Sequence, residues 1–239
     1  GLGEDRVRSL VAAGAGAAIG ASFNAPIAGM LFAMEVLLRT FSVRHLSAVV
    51  VASVAAAVTN TTLVDSFSSA FPEESLLRAP PYVLEDAREL ALYACVGLLA
   101  VVAAYALLRM LDWTEQLGRR FGRHGWLKPL TAGLVVAGIG LWEPRVLGTG
   151  QDFVAEIVGT TNLGAEVWGV LLLLAGLKIA ATSSTIGAHA SGGACMPSLF
   201  IGAALGAGFA ELVGPVWPTS ISTVLRPGAF AVVGMAAPF

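Results

Sequence analysis

Long stretches of this chain contain no Asp, Glu, Lys or Arg, the clearest being residues 9 to 34, 46 to 64, 90 to 108 and 179 to 210. A bilayer core about 30 Å thick is crossed by about 20 helical residues, so each run is long enough for one spanning segment or two broken ones. Apolar residues make up 56% of the 239 positions and charged residues 13%, with a mean hydropathy of +0.78, against about 45–50% and about 25% in soluble domains. Water is not this chain's only solvent. Gly and Ala crowd the runs, as in Ala12-Ala13-Gly14-Ala15-Gly16-Ala17-Ala18 and Gly202-Ala203-Ala204-Leu205-Gly206-Ala207-Gly208. Small residues let helices approach closely where lipid offers no hydrophobic drive for packing. These stretches are not linkers, because their neighbours are Leu, Ile, Val and Phe. Strands of a transmembrane barrel would alternate apolar and polar residues over about ten positions, and that pattern is missing. The expected class is an all-α polytopic membrane protein.

A net charge of -2 and a pI near 5.9 supply no basic field to neutralise phosphates, which excludes nucleic acid as a partner. Cys95 and Cys195 lie in apolar sequence without CxxC or Cys/His spacing, so no metal or redox site is expected. The chain begins at Gly1 rather than Met, no cleavable signal precedes the first apolar run, and the last run stops at Phe239. The expectation is an internal fragment continuing at both ends.

Periodicity and breakers predict helices at 5 to 22, 25 to 38, 45 to 62, 84 to 117, 127 to 141, 165 to 182, 195 to 213 and 226 to 239. At Ser22-Phe23-Asn24-Ala25-Pro26 an N-cap residue and a proline split one uncharged run into two short helices, with Asn24 and Pro26 marking the second start. A helix of about 15 residues covers only about 22 Å, so such pieces stop inside the membrane. Gly192-Gly193-Ala194-Cys195-Met196-Pro197 starts another helix deep in uncharged sequence. Irregular backbone at that depth is tolerated only where protein buries it or where it lines a cavity, and broken segments point to a site near the midplane.

Charge sorts the connections. The stretch 63 to 89 carries Asp65, Glu73, Glu74, Glu85, Asp86 and Glu89 against Arg78 and Arg88, whereas 109 to 128 carries Arg109, Arg119, Arg120, Arg123 and Lys128 against Asp112 and Glu115. The positive-inside rule puts the second connection, and the earlier one with Arg39 and Arg44, on the cytoplasmic side and the acidic linker outside. Ala79-Pro80-Pro81 marks the break between two halves.

An anion inside a membrane needs something to replace its water. The first turn of a helix offers unpaired N–H groups and about half an elementary positive charge. Gly192 and Gly193 allow close approach, and Pro197 fits a first turn, where its missing N–H costs nothing. The candidate donors are the backbone amides of Gly193, Ala194, Cys195 and Met196, whatever their side chains. A Lys or Arg there would hold an anion tightly, whereas amide dipoles let it leave. A helix start driven by packing alone is the plainer alternative.

Gly193-Ala194-Cys195-Met196-Pro197 resembles the GxFxP filter signature of the CLC family of chloride channels and transporters. Gly20-Ala21-Ser22-Phe23-Asn24-Ala25-Pro26-Ile27-Ala28-Gly29-Met30-Leu31-Phe32-Ala33-Met34-Glu35 resembles its stretch reading roughly GAAxGxxxAFNAPxAGxLFxxE, and Pro227-Gly228-Ala229-Phe230-Ala231-Val232-Val233-Gly234-Met235-Ala236-Ala237 its GxFAxxGMAA helix. Residues 63 to 89 and 142 to 165 are the least similar parts. The resemblance implies an inverted-repeat helical bundle with broken, tilted helices: 1 to 63 the end of the first repeat, 64 to 83 an extracellular or periplasmic linker, 84 to 239 most of the second repeat. It also implies a homodimer with one pore per subunit, chloride held partly by the amides of Ala194, Cys195 and Met196, and no cofactor. A bacterial inner or plasma membrane is the expected setting. Cys195 stands where the motif usually has Phe, which bears on pore width and anion preference. The gating glutamate and central-serine motifs of family members lie upstream of Gly1, and a pore tyrosine lies downstream of Phe239.

Further residues bear on mechanism. In proton-coupled members the helix resembling 26 to 36 ends in two acidic residues, the second an internal proton-transfer glutamate. Here they are Glu35 and Val36, and an alkyl group carries no proton, so a passive channel or uncoupled transporter is implied, with a chloride/proton antiporter as the alternative. Glu35 either pairs with Arg39 at i,i+4 or lines a water path. Lys178, an intramembrane cation aligned with a basic position in CLC relatives, either raises local chloride concentration, snorkels to an interface or pairs with a carboxylate. His189 is read as a loop or hydrogen-bonding residue rather than a proton relay. An intramembrane hydrolase using Ser183 or Ser184 with His189 lacks a GxSxG or HExxH motif and an orienting carboxylate, so no enzyme is expected. A cation transporter would need midplane carboxylates that the uncharged runs do not contain.

Overall fold

Backbone polar groups at membrane depth must find partners within their own segment, and the uncharged runs do so as helices. The computed structural model describes residues 3–67, 89–119, 126–159, 168–214 and 226–236, and all regular structure among them is helical. Contacts divide the chain into two units, Gly1–Arg78 and Ala79–Phe239.

In the first unit α1 (Glu4–Ser22) packs along α3 (Val43–Phe67), and α2 (Pro26–Phe32) lies against both, continuing into a π-helical turn at Ala33–Leu38. Small residues make this approach close: a Cβ on Gly29 would overlap the Gly16 carbonyl oxygen, and one on Gly20 would overlap the Ser53 hydroxyl. The Ser53 hydroxyl, fully buried on α3, lies 3.1 Å from the carbonyl oxygen of Gly16 and 2.8 Å from that of Pro26. One side chain thus links α3 to α1 and to the start of α2. Such a bond contributes about 1 kcal/mol in a membrane interior.

Asn24 has a different duty from the N-cap role expected of it. The N-cap of α2 is Ala25, with no side-chain cap, and Pro26 is the first helical residue. Asn24 instead closes α1 in the left-handed conformation, φ 49°. The Asn24 N–H donates to Ala21 O at 3.3 Å and the Ala25 N–H to Gly20 O at 3.0 Å, the two bonds of a Schellman motif. Asn tolerates this region better than most residues.

In the second unit the elements are α4 (Glu89–Arg119), α5 (Leu127–Trp142), a 3-10 turn (Pro144–Val146), α6 (Gln151–Gly159), α7 (Trp168–Gly187), α8 (Cys195–Val213) and α9 (Pro227–Ala236). α8 packs on α4, α6, α7 and α9. Among the described residues, four helical segments are long and apolar enough to cross a membrane: His45–Leu63, Glu89–Arg119, Trp168–Gly187 and Cys195–Val213. Of the last, 61% is buried, against 17% and 22% of the first two, so α8 is the interior helix while α3 and α4 turn apolar surface outward. α9 reaches α8 through small residues. A Cβ on Gly206 would overlap the Phe230 carbonyl, and one on Gly202 the Gly234 carbonyl.

Helix α8 occupies the span predicted for it, 195 to 213. α7 runs on to Gly187 rather than ending at 182, and the hydroxyls of its polar stretch are satisfied within the helix: Ser183 Oγ donates to Ile179 O at 2.6 Å, Ser184 Oγ to Ala180 O at 2.7 Å and Thr185 Oγ1 to Ala181 O at 2.9 Å. The segment predicted as one helix over 25 to 38 is α2 plus the π turn, and α6 and the 3-10 turn fall where no helix was predicted. Residues 68 to 88, with most of the acidic linker and Ala79-Pro80-Pro81, lie outside the described residues, as do Arg120 and Arg123, residues 160 to 167 and residues 237 to 239.

Gly206→Ala is expected to destabilise the folded protein by about 1–3 kcal/mol, the overpacking range, whereas Gly133→Ala, inside α5 with nothing within 4 Å, should not lower the melting temperature in detergent and should raise it slightly, by the helix-propensity gain of about 0.5–1 kcal/mol. Asn24→Gly should be tolerated, whereas Asn24→Val should cost about 1–2 kcal/mol, the left-handed penalty, read by the same melting curves.

Candidate functional site

The chain breaks between α7 and α8 in the manner of the α1–α2 break. His189 takes the left-handed position, φ 61°, its N–H donating to Ile186 O at 2.9 Å, while the Ala190 N–H donates to Thr185 O at 3.2 Å. This is again a Schellman closure on a residue other than glycine. His189 is exposed and its duty here is a backbone one. The Ser183 and Ser184 hydroxyls donate to carbonyls of their own helix rather than to His189.

Residues 190 to 194 are irregular and α8 begins at Cys195, with Ala194 as its N-cap and no side-chain cap. The Ser198 N–H is the first to bond along α8, to Ala194 O at 2.9 Å. Among the described residues, the N–H groups of Gly193, Ala194, Cys195 and Met196 donate to no backbone carbonyl, as expected of a helix start. Pro197 falls in the first turn and has no N–H to leave unpaired. Gly192, Gly193, Ala194 and Cys195 are exposed, and Met196 and Pro197 are half-buried. Ser198 Oγ donates to Cys195 O at 2.7 Å, tightening the first turn. The result is a cluster of unpaired donors at the positive end of a 19-residue helix.

Glu35 and Val36 sit side by side in the π turn, both exposed. Among the described residues Glu35 makes no ion pair with Arg39. The π turn widens the spacing so that i and i+4 no longer stack, and Arg39 turns away in the left-handed conformation, φ 53°.

Lys178 is 2% exposed and belongs to none of the ion pairs among the described residues. It does not snorkel, and among the described residues it meets no carboxylate. Its Nζ donates to the carbonyl oxygens of Val146 at 2.7 Å and Gly148 at 2.8 Å, and lies 4.8 Å from the centre of the Phe200 ring. The chain around it turns on two left-handed glycines, Gly148 at φ 65° and Gly150 at φ 76°. A Cβ on Gly150 would overlap the Phe200 ring. Phe153 of α6 stacks on the other partner, Phe200, at 4.5 Å between centroids. Sequence reasoning missed Val146, Gly148, Gly150, Phe153 and Phe200. The only local signal was Gly148-Thr149-Gly150 after Pro144, which marks a turn but not its occupant.

Residues 2–239 match the family described as voltage gated chloride channel. Chloride channel protein CLC-f of Arabidopsis thaliana is 33% identical over 98% of this chain and 31% of its own length. The H(+)/Cl(-) exchange transporter ClcA of Vibrio cholerae is 30% identical over 99% of the chain and 49% of its own length. The voltage-gated ClC-type chloride channel ClcB of Escherichia coli is 29% identical over 91% of the chain and 50% of its own length. The chain thus spans about half the length of the bacterial relatives and less of the plant one. With the family matched over nearly every residue and apolar helices of spanning length, this chain is an all-α integral membrane protein and belongs to the voltage gated chloride channel family.

Proposed function

We propose that the protein carrying this chain moves chloride or similar small anions across a membrane, and that the break at 192 to 197 forms part of the anion site. The single observation behind this reading is the set of N–H groups at Gly193, Ala194, Cys195 and Met196, unpaired with any backbone carbonyl, at the positive end of α8. Amide dipoles bind a partly dehydrated anion without the tight hold of a formal charge, which suits passage rather than storage. Glu35, Val36 and Lys178 belong to the same proposal as groups along or beside the path.

Passive conduction or uncoupled transport is the reading favoured by Val36, an alkyl side chain in the place that proton-coupled relatives give to an acid. Coupled chloride/proton exchange is the second reading, supported by the similarity to an exchange transporter. The proposal includes a homodimer with one pore in each subunit, an inverted-repeat arrangement of 1 to 63 and 84 to 239 about a linker at 64 to 83, a bacterial inner or plasma membrane, and no cofactor or catalysis.

Cys195 is exposed at the first residue of α8 and serves as a natural reporter, provided the exposed Cys95 is first replaced by Ser. In liposomes bearing the full-length Cys95→Ser protein, chloride efflux should slow by about tenfold after treatment with an anionic methanethiosulfonate, and external chloride should protect against the reagent. Efflux through a protein fully modified at Cys195 and unchanged in rate would overturn the site. In the same vesicles a chloride gradient is expected to drive no uphill proton movement. A fixed chloride-to-proton ratio would replace the passive reading with exchange.

A further inference from the structure

The free amides are useful only if α8 is held in one orientation. Its middle is gripped by α9, through the glycine crossings at Gly202 and Gly206. Its N-terminal end has a separate anchor, Phe200, one turn and a half beyond Cys195 and fully buried. That ring is held from α6 by Phe153, at 4.5 Å, and from α7 by the Lys178 ammonium, at 4.8 Å. The same ammonium gathers the Val146 and Gly148 carbonyls, so the turn ahead of α6 closes over the ring. Gly150 leaves room for this closure, since its Cβ would meet the ring and come within 3.4 Å of the ammonium.

Burying an ammonium that meets no carboxylate among the described residues is costly in a membrane interior, and packing alone would have been met by a leucine. Lysine does what leucine cannot: three donors and a cation–π contact join α7, the 144–150 turn and α8 at one point. Neither carbonyl has another donor among the side-chain hydrogen bonds of the described residues, so the tie also satisfies the acceptor of the buried Val146.

We propose that Lys178 is a positioning residue: acting through Phe200, it sets the direction in which the first turn of α8 presents its free amides. Its importance for transport rests on the anion-site reading above, but its effect on the geometry of α8 does not.

The test uses full-length protein with Cys95→Ser as background and two readouts, the rate at which Cys195 reacts with a neutral maleimide and the chloride concentration for half-maximal efflux from liposomes. Lys178→Met and Phe200→Leu should each change the Cys195 rate severalfold and raise the half-saturating chloride by about tenfold. Lys178→Arg, which keeps donors and cation–π contact, should restore both. The double variant Lys178→Met/Phe200→Leu should be no worse than the more affected single variant, because both act through one tie. If Lys178→Met does not fold, Phe200→Leu against Lys178→Arg carries the comparison. Folded Lys178→Met or Phe200→Leu protein with an unchanged Cys195 rate would overturn the inference, as would multiplicative effects in the double variant. Wild-type liposomes without chloride efflux, combined with altered Cys195 rates in the variants, would sink the transport reading while leaving the positioning role standing.

Discussion

A peptide group inside a bilayer must be hydrogen-bonded, and the only backbone that escapes this rule is backbone that lines a cavity or is wrapped in protein. Everything distinctive here follows from that constraint. The helices exist because long uncharged sequence has no other way to satisfy its N–H and C=O groups. The interruption between α7 and α8 stands out because it frees several N–H groups at once, at Gly193 to Met196, and gathers them at one helix end. A carbonyl-rich helix C-terminus would favour cations, whereas this end favours anions.

Two breaks share one construction. At Asn24 and at His189 a helix ends by a left-handed residue whose own N–H and that of the following residue reach back to the final turn, after which the chain redirects. These bonds pair carbonyls in the final turn of the closing helix, while the start of the following helix leaves N–H groups unpaired. At the first break Pro26 removes one of these donors, and at the second Pro197 does the same one turn in. Both breaks are thus economical in polar groups, but the α8 start leaves more of them exposed.

Close packing of small residues does the work that hydrophobic burial does in water. The α8–α9 crossing brings the backbone of Gly202 and Gly206 against carbonyls of Gly234 and Phe230, and in the other unit Gly16, Gly20 and Gly29 let Ser53 bridge three segments. Larger side chains at such crossings would separate the helices and loosen whatever the helices orient. Lys178 follows a related logic with a charge: it is satisfied by carbonyls and an aromatic face rather than by a carboxylate, so no second charge has to be buried.

Much of the architecture was legible in the sequence. Uncharged runs of spanning length, and small residues crowding them, determined that the chain would be a membrane-embedded set of helices, and Gly192 to Pro197 determined that α8 would start abruptly within apolar sequence. Those are local facts, set by hydrogen-bonding need and by the conformations that Gly and Pro allow or forbid. Asn24 was legible as a breaker but not as the end of α1 rather than the start of α2, because the two roles differ only in which carbonyls the next N–H groups reach. The fate of Glu35 depended on a π turn, and that of Lys178 on a turn more than 25 residues away in sequence, with its carbonyls brought to the ammonium only when α5, α6, α7 and α8 pack. Which buried groups meet is a matter of tertiary distance, and side-chain periodicity carries no information about it.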